Sequence, residues 1–301
     1  MSPRNSIIFI EALTKKFGSL AAVDDISMAV KPGEIVGFVG PNGAGKTTTI
    51  SMILGFISAS SGSIRLFGDS VSLQNAHTHH MQMGYVAGDM SLLNNLTGQQ
   101  YLTHMAALTR ANSARQKELI EALDPVLGKK LKTLSRGNKQ KIALIAALQH
   151  SPKLLVLDEP TSGLDPLMQE VFLHLIKNEA NEGATIFMSS HILTEVTSIC
   201  SRVLFMKKGQ IVLDSSVADI EAQAGKAISI TADRKTLVGL LKTHPAGLIN
   251  PKQHGSTVTF MYQGPINPVM VWLASHKLRD VQIHDRDLDS IFHDMYKENE
   301  P

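Results

Sequence analysis

The sequence predicts an α/β fold in which short buried strands alternate with helices. The apolar run Ile35–Val39 is followed by a glycine-rich loop and then by a helical pattern over residues 46–54. A second apolar run, residues 154–157, ends in two acidic residues, as expected of a central parallel strand. Strand-like runs at residues 185–189 and 203–206 continue the alternation with helical stretches, which is typical of a parallel sheet covered by helices.

Length and composition are those of an ordinary globular protein. At 301 residues, with 43% apolar and 19% charged side chains, the chain is long enough for two domains and a substantial core. The net charge of +2 argues against a strongly basic surface, so no nucleic-acid partner is expected. The single cysteine, Cys200, excludes an internal disulfide and fits a reducing compartment. We expect it to be a buried thiol in a helix rather than a reactive one.

No segment of the sequence predicts insertion into a membrane. The strand-like run at residues 7–10 is too short for the apolar part of a secretory signal. Nowhere do about 18 consecutive apolar residues occur, which a membrane-spanning helix would need. If the protein works at a membrane, we expect another subunit to supply the spanning part.

The glycine-rich loop lies where a buried strand meets a helix. Before it, residues 7–30 alternate short strand-like runs with turns, and residues 31–34 turn into the strand. The loop itself fits the pattern G-x-x-x-x-G-K-[ST]. It consists of Gly40, Pro41, Asn42, Gly43, Ala44, Gly45, Lys46 and Thr47, with Thr48 next in the helix.

This loop has the chemistry of a phosphate-binding site. Backbone N–H groups and the positive end of the helix dipole are aimed at one point, and Gly43 and Gly45 let an oxyanion approach closely. Lys46 supplies a positive charge for the β- and γ-phosphates, and the Thr47 hydroxyl is placed to bind Mg²⁺. A chance glycine-rich turn is disfavoured because strand, loop, Lys-Thr pair and helix coincide. The sequence therefore predicts a protein that binds a nucleoside triphosphate.

The middle of the chain is mostly helical. His77, His79 and His80 lie in a polar stretch that we interpret as a solvated loop rather than a metal site, because no carboxylate or cysteine is spaced to complete a ligand shell. The other predicted elements are a strand at residues 83–86, helices at residues 97–109, 113–123 and 139–150, and a turn at residues 134–138.

Two acidic residues follow the apolar strand at residues 154–157. Asp158 fits the Walker B pattern, in which a carboxylate holds Mg²⁺ bridging the β- and γ-phosphates. Glu159 follows at the end of the strand, where a general base could take a proton from an attacking water. A pair of solvated acids is the alternative, and the phosphate-binding loop favours the functional interpretation.

With four further segments, these motifs resemble those of an ATP-binding cassette (ABC) ATPase, the nucleotide-binding subunit of a transporter. Residues 134–138, Leu-Ser-Arg-Gly-Asn, resemble the signature loop, which is usually LSGGQ. Residues 162–166 match the D-loop, residues 189–191 match the switch-histidine motif, and Phe17 stands where the family stacks an aromatic ring on adenine. The resemblance covers roughly residues 6–220 and implies an enzyme that hydrolyses ATP.

The resemblance also implies the domain organisation. It indicates a P-loop NTPase domain of the ABC type at residues 1–220, which contains a helical signature subdomain at about residues 88–150. After a shift in composition near residues 214–226, the strand-like and helical runs of residues 221–301 themselves predict a small α+β accessory domain that ends in a helix. Residues 287–292 are similar to the closing motif of that domain in the subclass paired with separate export permeases. We find no catalytic triad, metal set or phosphate loop there, so a packing or regulatory module is expected.

The resemblance implies that the protein works in pairs. Ser135 and Gly137 lie at a helix N-terminus and form an anion site of their own, which in the family closes on the γ-phosphate bound to the opposite subunit. Asp165 belongs to the D-loop, and His191 is the expected sensor of the γ-phosphate. The implied ligands are ATP and Mg²⁺, and the implied partner is a second copy or a related ABC subunit.

A separate integral membrane permease is the second implied partner, so the chain would lie in the cytoplasm, at the inner face of the cell membrane. Leu92, Leu93, Leu96 and Tyr101 could form an apolar groove for the permease, although burial in the core would explain them equally well. The implied direction of transport is export, of the drug-, lipid- or polysaccharide-exporting type.

Two departures from the family pattern concern the signature loop and the Q-loop. In the signature loop, Arg136 replaces the usual glycine and Asn138 replaces the glutamine. In the Q-loop, Gly88 stands in place of the glutamine and has no side chain to contact Mg²⁺ or water. Either Asp89 substitutes as a ligand, or the coupling differs in this protein.

Two other classes of P-loop protein are alternatives to a transporter subunit. A soluble ABC ATPase acting on ribosomes or DNA would usually hold two cassettes or a long coiled-coil insertion, and the sequence shows neither a second P-loop nor heptads. A P-loop kinase outside the ABC family is disfavoured by the signature loop and the D-loop.

Overall fold

The structure is a computed structural model that describes residues 5–88, 92–245 and 247–285. The chain divides into two compact units, Met1–Ser215 and Ser216–Pro301. Within the described ranges, no helix has both the length and the apolar character needed to cross a bilayer.

The first unit contains a six-stranded sheet and a smaller antiparallel sheet. Its strands are β1 (Ile8–Phe17), β2 (Leu20–Val30), β3 (Ile35–Val39), β4 (Ser61–Leu66), β5 (Asp69–Ser70), β6 (Met83–Val86), β7 (Leu154–Asp158), β8 (Thr185–Ser190), β9 (Arg202–Lys207) and β10 (Gln210–Ser216). Its helices are α1 (Lys46–Ile53), α2 (Ala76–His80), α3 (Gly98–Thr109), α4 (Ser113–Leu123), α5 (Arg136–Leu148), α6 (Pro166–Asn181) and α7 (Leu193–Ile199). In the six-stranded sheet, β3, β6, β7, β8 and β9 run parallel.

The six-stranded sheet confirms the predicted α/β fold. Its order is β10-β9-β3-β8-β7-β6, and β3 pairs in parallel with both β8 and β9. Strand β7 is buried along its whole length, as its unbroken apolar run predicts. Cys200, directly after α7, is buried and lies close to Gly37 of β3, and burial raises the pKa of its thiol.

The amino-terminal segment forms one long hairpin rather than the short runs predicted. β1 and β2 pair from Ile8 opposite Val30 to Phe17 opposite Leu20, and β1 also pairs with β4. The register shifts between Ile10 and Leu13, where a bulge breaks the alternation of buried and exposed side chains. That interruption is why the sequence pattern divides the hairpin into short pieces.

Two helical boundaries differ from expectation. α5 begins at Arg136, three residues earlier than predicted, because the Ser135 side chain caps the helix by accepting a hydrogen bond from the backbone N–H of Asn138. The histidine stretch forms the short helix α2 rather than a solvated loop. His79 is 4% exposed and stacks on Phe67, so an apolar neighbour holds it inside. Among the described residues, no cluster of potential metal ligands occurs.

The second unit is a four-stranded antiparallel sheet with helices inserted in a β-α-β-β-α-β order. Its strand order is β12-β13-β11-β14, and its apolar core contains Leu237 and Val269 from helices and Ile228 and Phe260 from strands. The predicted helix at residues 288–296 and the motif at residues 287–292 lie outside the described residues. Its elements are α8 (Val217–Ala224), β11 (Lys226–Thr231), α9 (Arg234–Thr243), β12 (Leu248–His254), β13 (Thr257–Tyr262), α10 (Ile266–Ala274) and β14 (Asp280–Asp285).

Candidate functional site

The carboxyl ends of three neighbouring parallel strands bring the predicted site residues together. β3 and β7 both pair with β8, so Val39 lies opposite Ser190 while Asp158 lies opposite Ser189. The glycine-rich loop, the acidic pair and His191 therefore leave the sheet at the same edge. In an open parallel sheet this edge is where ligands bind.

The glycines of the loop are required by its close contacts. A Cβ at Gly40 would lie 2.2 Å from the carbonyl oxygen of Met206, and one at Gly45 would lie 2.3 Å from that of Ala22. Gly45, with a φ of 110°, is the residue from which α1 starts. Gly43 also has a positive φ, and a side chain there would meet nothing within 4 Å. The loop thus leads directly into the N-terminus of α1, whose first N–H groups form an anion-binding site.

Lys46 places a buried positive charge against this loop. Its side chain is 5% exposed, and Nζ donates hydrogen bonds to the carbonyl oxygens of Gly40 at 2.7 Å and Pro41 at 3.2 Å. Burial lowers the pKa of Lys46, and the nearby carboxylates of Glu159 and Asp158 oppose that shift. Nζ lies 3.9 Å from Oε1 of Glu159, so loop and acidic strand meet at this lysine.

Asp158 is held between two hydroxyl groups. Thr47 Oγ1 donates to Oδ2 of Asp158 at 3.0 Å, and Ser189 Oγ donates to Oδ1. Asp158 is 4% exposed, so these contacts fix a largely desolvated carboxylate. A threonine hydroxyl and a carboxylate within hydrogen-bonding distance are oxygen ligands of the kind that Mg²⁺ prefers. The residues present therefore fit a bound magnesium ion.

Glu159 stands where the backbone turns sharply out of β7. It has a φ of 47°, an uncommon value for a residue with a side chain. Its N–H donates to Ser189 Oγ at 3.1 Å, and its Oε2 lies 3.3 Å from Nδ1 of His191. The side chains of Glu159 and His191 are 28% and 48% exposed, so both remain accessible to water. The geometry brings a carboxylate and an imidazole together beside Lys46.

The signature loop lies at the N-terminus of α5. Ser135 is exposed, and its Oγ accepts a hydrogen bond from the Asn138 side chain at 3.2 Å in addition to capping the helix. Asn138 Oδ1 also accepts a bond from the backbone N–H of Val126. Gly137 lies in the first turn, where a Cβ would be 3.0 Å from the carbonyl oxygen of Gly163. Asn138 thus supports the loop from within its own subunit.

Three predicted residues lie beside this cluster, and a fourth lies outside the described part of the chain. Asp165 caps α6, accepting a hydrogen bond from the backbone N–H of Met168 at 3.0 Å. Phe17 is 53% exposed at the end of β1, with Nζ of Lys15 5.1 Å from its ring centroid. Thr48 follows Thr47 in α1. Asp89 lies outside the described residues.

Sequence reasoning missed two residues that contact the site. Ser189 supports both acids, and the only signal was its place in the switch-histidine motif. Gln140, which is 1% exposed on α5, donates through Nε2 to the carbonyl oxygen of Pro160 and so joins α5 to the turn after Glu159. A glutamine on the polar side of a helical pattern carries no sign of such a contact.

An apolar groove of about 430 Å³ lies between the helical segment and the rest of the first unit. Of the four residues predicted to form it, Leu92 and Tyr101 line it, whereas Leu93 and Leu96 are not among its lining residues. None of the four is buried, which argues against the core interpretation. Two histidines, His80 and His150, are also in its wall. The remaining lining residues are Leu54, Phe56, Met81, Met83, Gly84, Tyr85, Ala87, Met105, Leu108, Thr109, Ala143, Ala146 and Ala147.

Comparison with known proteins places the chain in a family. The family model described as "ABC transporter" matches residues 23–162, and one described as "AAA domain, putative AbiEii toxin, Type IV TA system" matches residues 128–197. The solved "Structure of ATP binding subunit of ABC transporter" has a TM-score of 0.67 at 27% identity, covering 72% of this chain and 93% of that one. The "Dimeric Structure of MJ0796, a Bacterial ABC Transporter Cassette" has a TM-score of 0.65 at 21% identity, covers 70% of this chain and 98% of that one, and shows the shared fold alone.

Three curated relatives are also ATP-binding proteins of transporters. YdbJ of Bacillus subtilis (strain 168), an ABC transporter ATP-binding protein, is 37% identical over 226 residues, 74% of this chain and 73% of YdbJ. The bacitracin transport ATP-binding protein BcrA of Bacillus licheniformis is 34% identical over 248 residues, 80% of each chain. The probable multidrug ABC transporter ATP-binding protein YbhF of Escherichia coli (strain K12) is 34% identical over 229 residues, 74% of this chain but only 39% of YbhF. The chain belongs to the family of ABC transporter ATP-binding proteins.

Proposed function

We propose that this chain hydrolyses ATP as one half of a cassette pair and thereby drives a separate membrane permease that exports its cargo. The observation that carries the proposal is the meeting of Lys46, Asp158, Glu159 and His191 at one sheet edge. A desolvated cation, a carboxylate bonded to hydroxyls, and an accessible carboxylate beside an imidazole are the groups that phosphoryl transfer to water requires.

Binding of ATP rests on the loop and on Lys46. The N–H groups at the start of α1 would hold the phosphate oxygens, and Lys46, whose side chain is largely buried, would add a positive charge. Thr47 and Asp158 would hold Mg²⁺, which on binding would neutralise part of the phosphate charge. Phe17 would stack on the adenine ring.

Hydrolysis rests on Glu159. Its carboxylate would accept the proton of the water that attacks the γ-phosphate, and the sharp turn at this residue aims the side chain away from the strand. His191, 3.3 Å away, would orient the carboxylate and contact the γ-phosphate. Ser189 would position both acids from the neighbouring strand.

Pairing supplies the other half of each site. Ser135 and Gly137 stand at an exposed helix N-terminus, which is suited to bind the γ-phosphate of a partner's ATP. The Asp165 turn would lie at the same interface. The partner would be a second copy or a related ABC subunit, and loss of the γ-phosphate would remove the contacts that hold the two together.

The apolar groove is the proposed docking place of the permease. A groove of this size, with Leu108 exposed in its apolar wall, fits the apolar face of a short helix from a membrane protein. Docking there would hold the chain at the cytoplasmic face of the membrane. Residues 221–301 would act as an accessory or regulatory domain. The names of BcrA and YbhF, bacitracin and multidrug transport, favour export over a role on ribosomes or DNA.

Replacing Glu159 by glutamine tests hydrolysis. We expect Glu159→Gln to bind ATP but to lose turnover by about a hundredfold or more, and to accumulate as an ATP-bound dimer. Phosphate release and size-exclusion chromatography measure the two effects. Glu182→Gln, an exposed acid after α6, is the matched control and should resemble the wild type. Near-normal turnover of Glu159→Gln would refute the assignment of the base.

A photoreactive amino acid at Leu108 tests the docking place. Leu108 is 57% exposed in the groove wall, and Leu20, 67% exposed on β2, is the control position. In native membranes we expect an adduct between position 108 and a multi-spanning membrane protein, and none from position 20. Equal labelling from both positions, or a ribosomal protein as the adduct, would contradict the proposal.

A further inference from the structure

Arg136 connects the signature helix to two other segments of the site. It is the first residue of α5 and stands where the family's signature loop usually has a glycine. Its Nη2 donates a hydrogen bond to Ser162 Oγ at 2.8 Å and reaches the carbonyl oxygen of Gly88 at 3.4 Å. The guanidinium group therefore bridges the start of α5, the D-loop and the segment after β6.

The D-loop packs closely against the side chain of Arg136 at Gly163. A Cβ built on Gly163 would lie 2.8 Å from Cδ of Arg136 and 3.0 Å from its Cγ. A side chain at position 163 would therefore displace the stem of the arginine. Gly163 also has a φ of 90°, so the loop passes the arginine in a conformation that favours glycine.

Gly88 lies against the acidic strand end from the other side. A Cβ at this position would be 3.1 Å from the carbonyl oxygen of Asp158 and 3.6 Å from Cβ of Glu159. A glutamine at position 88 would start beside the acidic pair. In this chain the polar side-chain group near position 88 is instead the guanidinium of Arg136. The two departures from the family pattern, Gly88 and Arg136, thus face each other.

Ser162 carries the connection on to Glu159. The N–H of Ser162 donates to the carbonyl oxygen of Glu159 at 3.2 Å, closing the turn that follows β7. Gln140 holds the same turn through Pro160, but it is buried, whereas Arg136 is exposed at the mouth of the site. Of these two links, the one through Arg136 is therefore the easier to break and remake.

We propose that Arg136 is a positioning residue that couples the signature helix to Glu159 through Ser162 and Gly88, in place of the missing side chain at position 88. This inference rests on the proposed function, ATP hydrolysis by a cassette pair. In the coupled arrangement the start of α5, which would bind the partner's ATP, and the turn that carries Glu159 move together. Breaking the link leaves the ATP-binding loop intact but loosens the turn, which is then held to α5 through Gln140 without the support of Arg136.

A double-mutant cycle with Arg136→Gly and Gly88→Gln tests the exchange of side chains. We expect Arg136→Gly to lower kcat for ATP hydrolysis about tenfold while changing KM less than about twofold, because a positioning contact is lost and binding is kept. Gly88→Gln alone should also lower kcat, since the glutamine and the guanidinium compete for one space. The double variant, which restores the family pattern, should recover kcat to within about threefold of the wild type. Effects that simply multiply would overturn the proposal.

Two further variants distinguish loss of the Arg136–Ser162 contact from a general loss of folding or charge. Ser162→Ala removes the acceptor rather than the arginine, and it should lower kcat in the wild type but have no further effect in Arg136→Ala. Lys132→Ala removes an exposed positive charge four residues before Arg136 and should leave kcat unchanged. An equal loss in Lys132→Ala would show a general effect of charge and overturn the proposal.

The same assays separate this inference from the proposed function. If the wild type neither binds nor hydrolyses ATP, the proposed function fails. If the wild type hydrolyses ATP while Arg136→Ala and Ser162→Ala turn over like it, only the coupling through Arg136 fails.

Discussion

The two units of the molecule differ in whether they bury polar side chains. In the first unit, charged and hydroxyl side chains such as Lys46, Asp158 and Ser189 are at most 5% exposed. In the second unit, aromatic residues aside, no described polar or charged side chain is buried. Its core consists of residues such as Phe260 and Leu240, and its hydroxyl pair Ser229–Thr259 is only partly buried.

This difference indicates where the chemistry lies. Burying a polar group without a partner is unfavourable, so a fold keeps such groups only where neighbours bond to them or where function needs them. In the first unit, Lys46, Asp158 and Ser189 lie at or just after the carboxyl ends of β3, β7 and β8, while other buried polar residues, such as Gln149 and Glu179, lie elsewhere in the unit. The second unit contains only the apolar packing that a small sheet needs to be stable, which suits an accessory module.

The strongest test of this contrast is a core truncation in the second unit. Phe260 is fully buried and packs edge-on against Trp272, with ring centroids 6.0 Å apart. We expect Phe260→Ala to destabilise this unit by about 3–5 kcal/mol in its free energy of unfolding. ATP affinity should stay unchanged, because Phe260 takes no part in the nucleotide site. Calorimetry should show one transition moved to lower temperature, and a parallel loss of ATP binding would show that the units are not separable.

Replacing Lys46, the buried lysine of the phosphate-binding loop, tests the role of the first unit in ATP binding. We expect Lys46→Ala to weaken ATP binding by about a hundredfold or more, since a desolvated charge interacts strongly with phosphate. Fluorescent-nucleotide titration measures the affinity. Lys252→Ala, an exposed lysine of β12, is the matched control and should bind as the wild type does. Unchanged affinity in Lys46→Ala would contradict the phosphate-loop assignment.

A smaller effect is expected from the serine that sequence reasoning missed. Ser189→Ala removes the hydroxyl that donates to Asp158 and accepts from the N–H of Glu159. Loss of one hydrogen bond to a charged group should lower kcat about tenfold and change ATP affinity less. Ser201→Ala, away from the strand end, serves as the comparison. Equal kinetics for the two variants would mean that Ser189 only fills space.

The smallest effect concerns pH. Burial lowers the pKa of His150 below its ordinary 6.5, and its contact with the carbonyl oxygen of Met83 opposes this only in part. The unfolded chain therefore binds a proton near pH 6.5 that the folded chain resists, so stability is lost as pH falls below that value. His150→Gln should weaken this acid dependence in urea unfolding, whereas His174→Gln, on an exposed face of α6, should not. An unchanged pH profile in His150→Gln would place the titrating group elsewhere.

The sequence predicted the elements whose signals are local. The strand Ile35–Val39 and the helix Ser113–Leu123 lie where periodicity placed them, because burial of one face or of a whole strand leaves its pattern in the chain. The amino-terminal hairpin was misjudged because bulges interrupt its period. The histidine helix was misjudged because a polar composition conceals the burial of His79 against Phe67.

The sequence by itself predicted the α/β fold and a set of candidate nucleotide-binding residues, since a phosphate loop needs its glycines and lysine in immediate succession. Only the tertiary structure shows what Ser189, Gln140 and Arg136 contact, because their partners lie 20 or more positions away along the chain and meet them only through the packing of β8 and α5 against the end of β7. Contacts of that kind depend on distance in space and leave no periodic signal in the sequence.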